Sequence, residues 1–301
     1  NFTVFSYAFK AGEENKNLNT LAKIYNYALS CGIDRQYAVA ALGGGVVGDT
    51  AGLFASTYMR GLKLIQIPTT LLAMVDSSIG GKTGVNIENG KNIVGTFYQP
   101  QFVFINVLFL KTLESKQLRN AMAEIIKYAV SFDEKFFNEL NLILNKSIIT
   151  EKDFKKIIYQ CCKFKADIVC KDEKEVTGIR ELLNFGHTFG HALETVTKYG
   201  KFLHGEAVAL GILFAARLSE KIKFCNSQTR EKIEKIIFDS GFNMKIDKKI
   251  NPKKILGLMQ NDKKSVSKKI KFVLPKKIGQ IFSRIEVDDK IVLSAIKEML
   301  K

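Results

Sequence analysis

The chain lacks most of the features that would let a sequence be placed at a glance. Its longest helix-like apolar stretch, residues 207–218 (AVALGILFAARL), is too short to span a bilayer and contains Gly211, so it reads as a buried helix and no membrane segment is expected. The five cysteines (Cys31, Cys161, Cys162, Cys170 and Cys225) are odd in number and show no C-x-x-C spacing. That excludes a disulfide framework and a thiolate zinc knuckle, and it points to the reducing cytoplasm. The start has no methionine, no basic n-region and no apolar h-region, so no secretion signal is expected, and Asn1 as first residue implies an upstream segment. There is no internal repeat and no low-complexity tract. Acids are scarce, 30 against 46 lysines and arginines, which leaves a net charge of +16. Such an excess suits a polyanion or a small anionic substrate. The lysines are spread along the chain (Lys221, Lys223, Lys232, Lys235, Lys248, Lys249, Lys276, Lys277) and form no block interleaved with aromatics, so an anionic metabolite is expected and nucleic acid is not.

What is present is an ordinary globular composition, 46% apolar and 25% charged over 301 residues, enough for one large or two ordinary domains. Leu18, Leu21, Ala22, Ile24, Tyr25, Ala28 and Leu29 repeat with helical period up to Gly32. A strand at 37–42 then runs through a glycine turn at 43–49 into a second helix. Further strands are expected at 63–67 and 102–107, with a loop region rich in Gly, Ser, Thr and Asn at 74–92. From Ser115 the period becomes helical, with helices expected near 115–130, 133–145, 151–170, 181–198, 205–223 and 228–240, then a hairpin at 269–287 and a closing helix. The expected architecture is an α/β nucleotide-binding domain at 1–113 and a mainly α-helical domain at 114–301.

Gly43, Gly45 and Gly48 satisfy G-x-G-x-x-G between a strand and a helix, where small residues let a pyrophosphate approach the backbone and the helix N-terminus. The acidic residue usually found about twenty positions on is absent, because the next strand, KLIQIP, carries none. A second loop, DSSIGGKT at 76–83, nearly spells a P-loop but has Asp76 where its first glycine should stand, so a Walker ATPase is not expected. Lys82, Lys91 and Asn92 there suit a small anion.

The three histidines, His187, His191 and His204, are confined to one short stretch, which points to a single chemical centre. His187 and His191 are four apart and share a helix face. Three nitrogen and carboxylate ligands with one vacant position describe a catalytic divalent site, usually zinc. Spacing leaves open which histidines bind and whether the carboxylate is Glu124, Glu194 or Glu206.

Six motifs, GGGVVGD (43–49), IPTTLLAMVDSSIGGKTGVN (67–86), GKNIVGTFYQP (90–100), MAEIIKYA (122–129), LLNFGHTFGHALE (182–194) and LHGEAVALG (203–211), lie in the order and at the separations that resemble the 3-dehydroquinate synthases, sugar phosphate cyclases. The resemblance covers nearly the whole chain. It implies a Rossmann-like domain that lacks its first strand and helix here, where that family places an acidic ribose ligand. It also implies NAD and Zn2+ or Co2+ as cofactors, with Glu124, His187 and His204 as metal ligands. NAD would be held by Glu13, Lys16, Gly45, Val46, Val47, Gly48, Asp49, Thr69, Thr70, Lys82, Lys91, Phe109, Leu110, Lys111 and Thr112. Catalytic roles fall to His191, Lys127, Asp76 and Lys82. Arg60, Asn92, Lys165, Arg180, Asn184 and Lys263 (or Lys264) surround the substrate, Arg60 reaching a neighbouring subunit of a homodimer. The implied activity converts 3-deoxy-D-arabino-heptulosonate 7-phosphate to 3-dehydroquinate and phosphate in aromatic amino acid biosynthesis. NAD would take and return the C5 hydride around a β-elimination and an aldol closure. Lys82, Asn92, Arg180 and Asn184 have the donors a phosphate needs, and Lys165 and Lys263 suit the carboxylate. The competing readings are a metal-dependent polyol dehydrogenase and another sugar-phosphate cyclase.

Overall fold

The computed structural model describes residues 2–88, 90–198, 201–261 and 270–300, and the chain divides into two compact units, one up to Leu113 and one from Glu114. Helix α1 (Leu18–Ser30) begins where the Asn17 side chain accepts the Thr20 N–H, and the chain turns away at Gly32, whose φ of 67° favours glycine. Strand β1 (Ala38–Gly43) leads through Gly44 into α2 (Gly45–Thr57), and β2 (Lys63–Pro68) pairs parallel to β1 with Ala38 opposite Lys63. A strand–helix–strand passage between parallel strands buries one face of the helix on the sheet. The burial is visible in Leu21, Leu53, Phe54, Tyr58 and Leu62, which form one apolar cluster, and in Ala41, Ala55 and Leu64, which form another.

Two expectations for this unit are corrected. The polar region at 74–92 is not a loop: it holds a π-helical turn, Ala73–Ser77, and β3 (Lys82–Ile87), which pairs antiparallel with β4 (Gly90–Phe97). The ribbon was hidden by the small residues that make it possible. A Cβ on Gly95 would lie 2.0 Å from the Thr83 carbonyl oxygen, so the two backbones approach more closely than side chains permit. The strand expected at 102–107 is only β5 (Phe102–Val103), paired with β2 to give the order β1-β2-β5. Asn106 ends it: its side chain accepts the Leu108 N–H and starts the 3-10 turn Val107–Thr112.

The second unit is helical: α3 (Ser115–Phe132), α4 (Glu134–Leu144), α5 (Glu151–Lys171), α6 (His187–Val196), α7 (His204–Lys221), α8 (Ser227–Asp239), α9 (Pro252–Asn261) and α10 (Asp289–Met299). An antiparallel hairpin, β6 (Lys271–Lys277) and β7 (Gln280–Glu286), precedes α10. α7 is buried along most of its length, from Ala207 through Leu218, and serves as the central column. The single helix expected at 181–198 is in fact broken. A 3-10 turn, Ile179–Asn184, is separated from α6 by Gly186 at φ 82°. A Cβ there would meet the Ile212 side chain and the Val208 carbonyl at 2.7 and 3.0 Å, so the break is where α6 closes on α7. Among the described residues no helix is long and apolar enough to cross a membrane.

Candidate metal centre

α3 presents Glu124 and Lys127 one turn apart, both buried and in ion-pair contact. The first residue of α6 is His187 and the first of α7 is His204, so two helix starts deliver imidazoles to one carboxylate. His187 Nε2 stands 3.4 Å and His204 Nε2 3.6 Å from Glu124 Oε1. One donor atom from each of the three lies within 4.8 Å of the others. Ligand bonds of about 2.1 Å in a tetrahedral site put neighbouring donors about 3.4 Å apart, so each imidazole is already at about the separation from Glu124 that a zinc-sized ion requires. Neither oxygen of Glu124 has a hydrogen bond of normal geometry: the Lys127 ammonium answers Oε2, and Oε1, which both imidazoles face, is the oxygen placed for a further cation.

The outer nitrogens are also held. His187 Nδ1 lies 3.2 Å from the Phe185 carbonyl oxygen, and His204 Nδ1 lies 3.5 Å from Glu194 Oε1. Burial opposes ionisation of Glu124, but Lys127 and then His187 outweigh it and hold the carboxyl well below its usual range. Burial pushes the His187 imidazole down, more strongly than Glu124 lifts it. Burial also acts against the His204 imidazolium, yet the neighbouring carboxylates of Glu124 and Glu194 prevail and push it up to about 10. A divalent ion would take the place of that proton.

The geometry sorts the carboxylates that spacing left open. Glu124 faces both imidazoles, Glu194 backs His204, and Glu206 accepts the Leu203 N–H at 2.8 Å to cap α7. His191 is outside the donor triad, its ring perpendicular to that of His187 with centroids 5.3 Å apart. Lys165 and Arg180 are buried in the same unit, whereas Asn184 is exposed. Arg180 Nη1 donates to the Glu173 carbonyl at 2.6 Å, and its Nε lies 3.4 Å from Glu175. Asp172, which sequence reasoning did not single out, organises this loop: its carboxylate accepts the N–H groups of Val176, Thr177, Gly178 and Arg180 at 2.8 to 3.2 Å. Those bonds, led by that of Thr177, pull its pKa to about 2. Its only sequence signal is an acid placed just before a turn that ends in glycine. Lys263 and Lys264 lie outside the described residues.

In the first unit the glycine turn opens α2 as its spacing predicts. A Cβ on Gly44, Gly45 or Gly48 would come within 3.0 Å of Thr70, Ser77 or Gln66, so Val46, Val47 and Asp49 follow a backbone that must be bare there. Thr69 donates its N–H to Gly43. Lys16, buried, reaches Asp49 Oδ2 and Asn92 Oδ1, each at 2.5 Å. Asn86 joins the group by donating to Glu13 and accepting from the Asn92 N–H, both at 2.8 Å. Glu13, Lys16, Asp49 and Asn92 thus form one network through Asn86, a residue assigned no role from sequence. Asp76 sits on the π-helical turn, Lys82 begins β3, Lys91 lies on β4, and Phe109, Leu110, Lys111 and Thr112 occupy the 3-10 turn. Arg60 is exposed in a left-handed conformation at φ 66°.

Comparison with known proteins follows from these features. The family profile described as 3-dehydroquinate synthase N-terminal matches residues 6–120, and that described as 3-dehydroquinate synthase C-terminal matches 121–265. The chain is 53% identical to a 3-dehydroquinate synthase of Endomicrobium trichonymphae over 98% of its own length and 81% of that protein's. It is 45% identical to the one of Desulforamulus reducens over 96% and 80%. Among solved structures it is similar to 2-deoxy-scyllo-inosose synthase complexed with carbaglucose-6-phosphate, NAD+ and Co2+, with TM-score 0.86 and 27% identity over 96% of this chain and 81% of that one. A 2-epi-5-epi-valiolone synthase from Streptomyces hygroscopicus with NAD+ and Zn2+ bound gives TM-score 0.86 and 25% identity over 97% and 81%. A probable glycerol dehydrogenase from Sinorhizobium meliloti, at TM-score 0.57 and 16% identity over 95% and 82%, shares the fold alone.

Proposed function

This chain belongs to the 3-dehydroquinate synthase family, and on that premise we propose how its residues carry the activity. It is a phosphate-eliminating lyase that converts 3-deoxy-D-arabino-heptulosonate 7-phosphate to 3-dehydroquinate. The observation that carries the residue assignment is the buried Glu124 carboxylate facing two imidazole nitrogens at zinc-ligand spacing. Glu124, His187 and His204 hold Zn2+ or Co2+, and the residues after Gly44, with Glu13, Lys16, Thr69, Thr70, Lys82, Lys91 and the 109–112 turn, hold NAD. When bound, the ion supplies Lewis acidity toward a substrate hydroxyl and the nicotinamide supplies hydride uptake and return.

The rest is the work of the chain's own side chains. Lys127, paired with Glu124, keeps that carboxylate ionised so that it remains a ligand at neutral pH. His191, beside the ligand pair but outside it, moves the proton at the reacting carbon or hydroxyl, with Asp76 and Lys82 assisting. Arg180 is a buried fork whose orientation is set by Glu173 and Glu175, suited to an anionic group of the substrate. Asn92, Asn184, Lys165 and Lys263 supply further donors to phosphate and carboxylate. The first unit is the NAD-binding domain and the second the metal- and substrate-binding domain. The enzyme works in the cytoplasm as a homodimer, Arg60 reaching the partner subunit's substrate. The support for that last point is its exposure and its fixed left-handed backbone.

Substoichiometric NAD tests this reading. With divalent metal and the heptulosonate phosphate, inorganic phosphate should be released in large excess over NAD while nicotinamide absorbance stays flat. One NADH per substrate without phosphate would make the chain a dehydrogenase instead.

A further inference from the structure

We propose that Glu194 is a positioning residue for the metal centre: it fixes the tautomer and the ring angle of His204, and it thereby sets how tightly the site binds its ion. The proposal rests on the reading of Glu124, His187 and His204 as ligands.

An imidazole can offer a lone pair from only one nitrogen when neutral, and the nitrogen that carries the proton is chosen by what that proton can bond to. At His187 the choice is made by the Phe185 carbonyl oxygen, 3.2 Å from Nδ1, which leaves Nε2 to face Glu124. At His204 the same geometry recurs with a different partner: Nε2 faces Glu124 at 3.6 Å, and Nδ1 faces Glu194 Oε1 at 3.5 Å. Glu194 is itself buried, 6% exposed, on the helix that begins with His187. His187 and Glu194 are seven residues apart, two helical turns, so one face of α6 carries both a ligand and the group that orients the ligand arriving from α7.

The two orienting groups are not equivalent. A carbonyl accepts the Nδ1 proton as a dipole, whereas a carboxylate accepts it as a full negative charge and makes Nε2 the better donor. A carboxylate behind His204 therefore strengthens the pull of that ligand on a divalent ion. His204 is also the more exposed of the two ligand imidazoles, 37% against 13%, and so the one whose ring most needs an anchor.

Zinc affinity measured by chelator competition tests this on the whole enzyme, independent of turnover. Glu194→Ala should weaken zinc binding about 10- to 100-fold. Glu194→Gln, which keeps an acceptor oxygen but not the charge, should fall between that variant and the unaltered protein. Cobalt loaded into Glu194→Gln should show displaced visible absorption bands, a signature that a loss of general stability would not give. The proposal is overturned if Glu194→Gln, shown to be folded by circular dichroism, binds zinc within about twofold of the unaltered protein with unshifted cobalt bands, since losing the charge that orients a ligand imidazole should do more. His187→Ala and His204→Ala run alongside: if they too retain zinc, the ligand assignment itself fails, whereas if they lose it and the Glu194 variants do not, only the role of Glu194 fails.

Discussion

Gly211→Ala should separate two helices and loosen the metal site at once. Gly211 lies in the middle of α7 where α6 begins, and a Cβ on it would sit 1.8 Å from the Gly186 carbonyl oxygen and 3.1 Å from the Gly190 nitrogen. A carbon needs about 3.3 Å from a carbonyl oxygen, so the start of α6 and the middle of α7 must part by about 1.5 Å. Neither contact is a side chain that can swing away. In an unobstructed helix alanine would be favoured by about 1 kcal/mol, but overpacking costs about 1 to 3 kcal/mol, and a clash with backbone falls at the upper end. The net expectation is a loss of about 2 kcal/mol. Gly186 is the residue before His187, and His204 lies on the other helix, so the same displacement far exceeds the ~0.2 Å tolerance of zinc–ligand distances. Urea unfolding and zinc competition read the two effects separately. Gly257→Ala in α9 is the control: its Cβ would meet nothing within 4 Å, and the substitution should stabilise by up to about 1 kcal/mol. A Gly211→Ala protein with the unaltered unfolding midpoint and zinc affinity would refute this account of the helix crossing.

Two further outcomes follow from buried charges. Asp172 is lowered from 3.8 to about 2 in the folded protein, so it contributes stability that is fully present above pH 3.8 and is lost as pH falls through about 2. Asp172→Asn should be less stable at neutral pH and should lose less of its stability between those pH values. Urea midpoints collected across this acid window check it, and an unchanged slope would count against the carboxylate's role. Lys16→Met should strand Asp49 without its ammonium partner and destabilise the first unit by about 3 kcal/mol. The double variant Lys16→Met with Asp49→Leu should recover part of that loss, and a double variant as unstable as the sum of its parts would show that the pair is not coupled.

The helices of the second unit were legible because amphipathic period survives tertiary packing. Expectations at 115–130 and 151–170 stand beside observed helices Ser115–Phe132 and Glu151–Lys171, the latter opened by a Thr150–Asp153 capping box. Where the reading failed, backbone proximity had replaced the usual pattern. Gly84 and Gly95 erased the alternation that would have marked β3 and β4, and Gly186 broke a helix whose apolar period continued across it. α9 went unread although Pro252 at its first position is a start signal. The site was legible in part for a related reason. Histidine is rare enough here that its clustering carried information, but Glu124 is brought to it by the packing of α3 against α7, which local spacing does not encode. Resemblance to a family supplied that partner before any geometry did.

Architecture does not decide between a cyclase and a dehydrogenase, because the fold is shared by both and chemistry resides in the site built on it. Buried charge gives a physical reason for the choice. Lys127, Lys165 and Arg180 are 2%, 7% and 3% exposed in the second unit. Removing an ammonium or guanidinium from water costs several kcal/mol before any partner is counted. Each of the three has protein partners, yet the same partners could be dispensed with if the cation were replaced by an apolar residue, often without loss of stability. A neutral polyol would gain nothing from them. A substrate that carries both a phosphate and a carboxylate gains charge-assisted hydrogen bonds worth roughly twice neutral ones. On the proposed function, retaining Lys165 and Arg180 as buried cations in the second unit suits a dianionic sugar acid, while the charge of Lys127 answers Glu124.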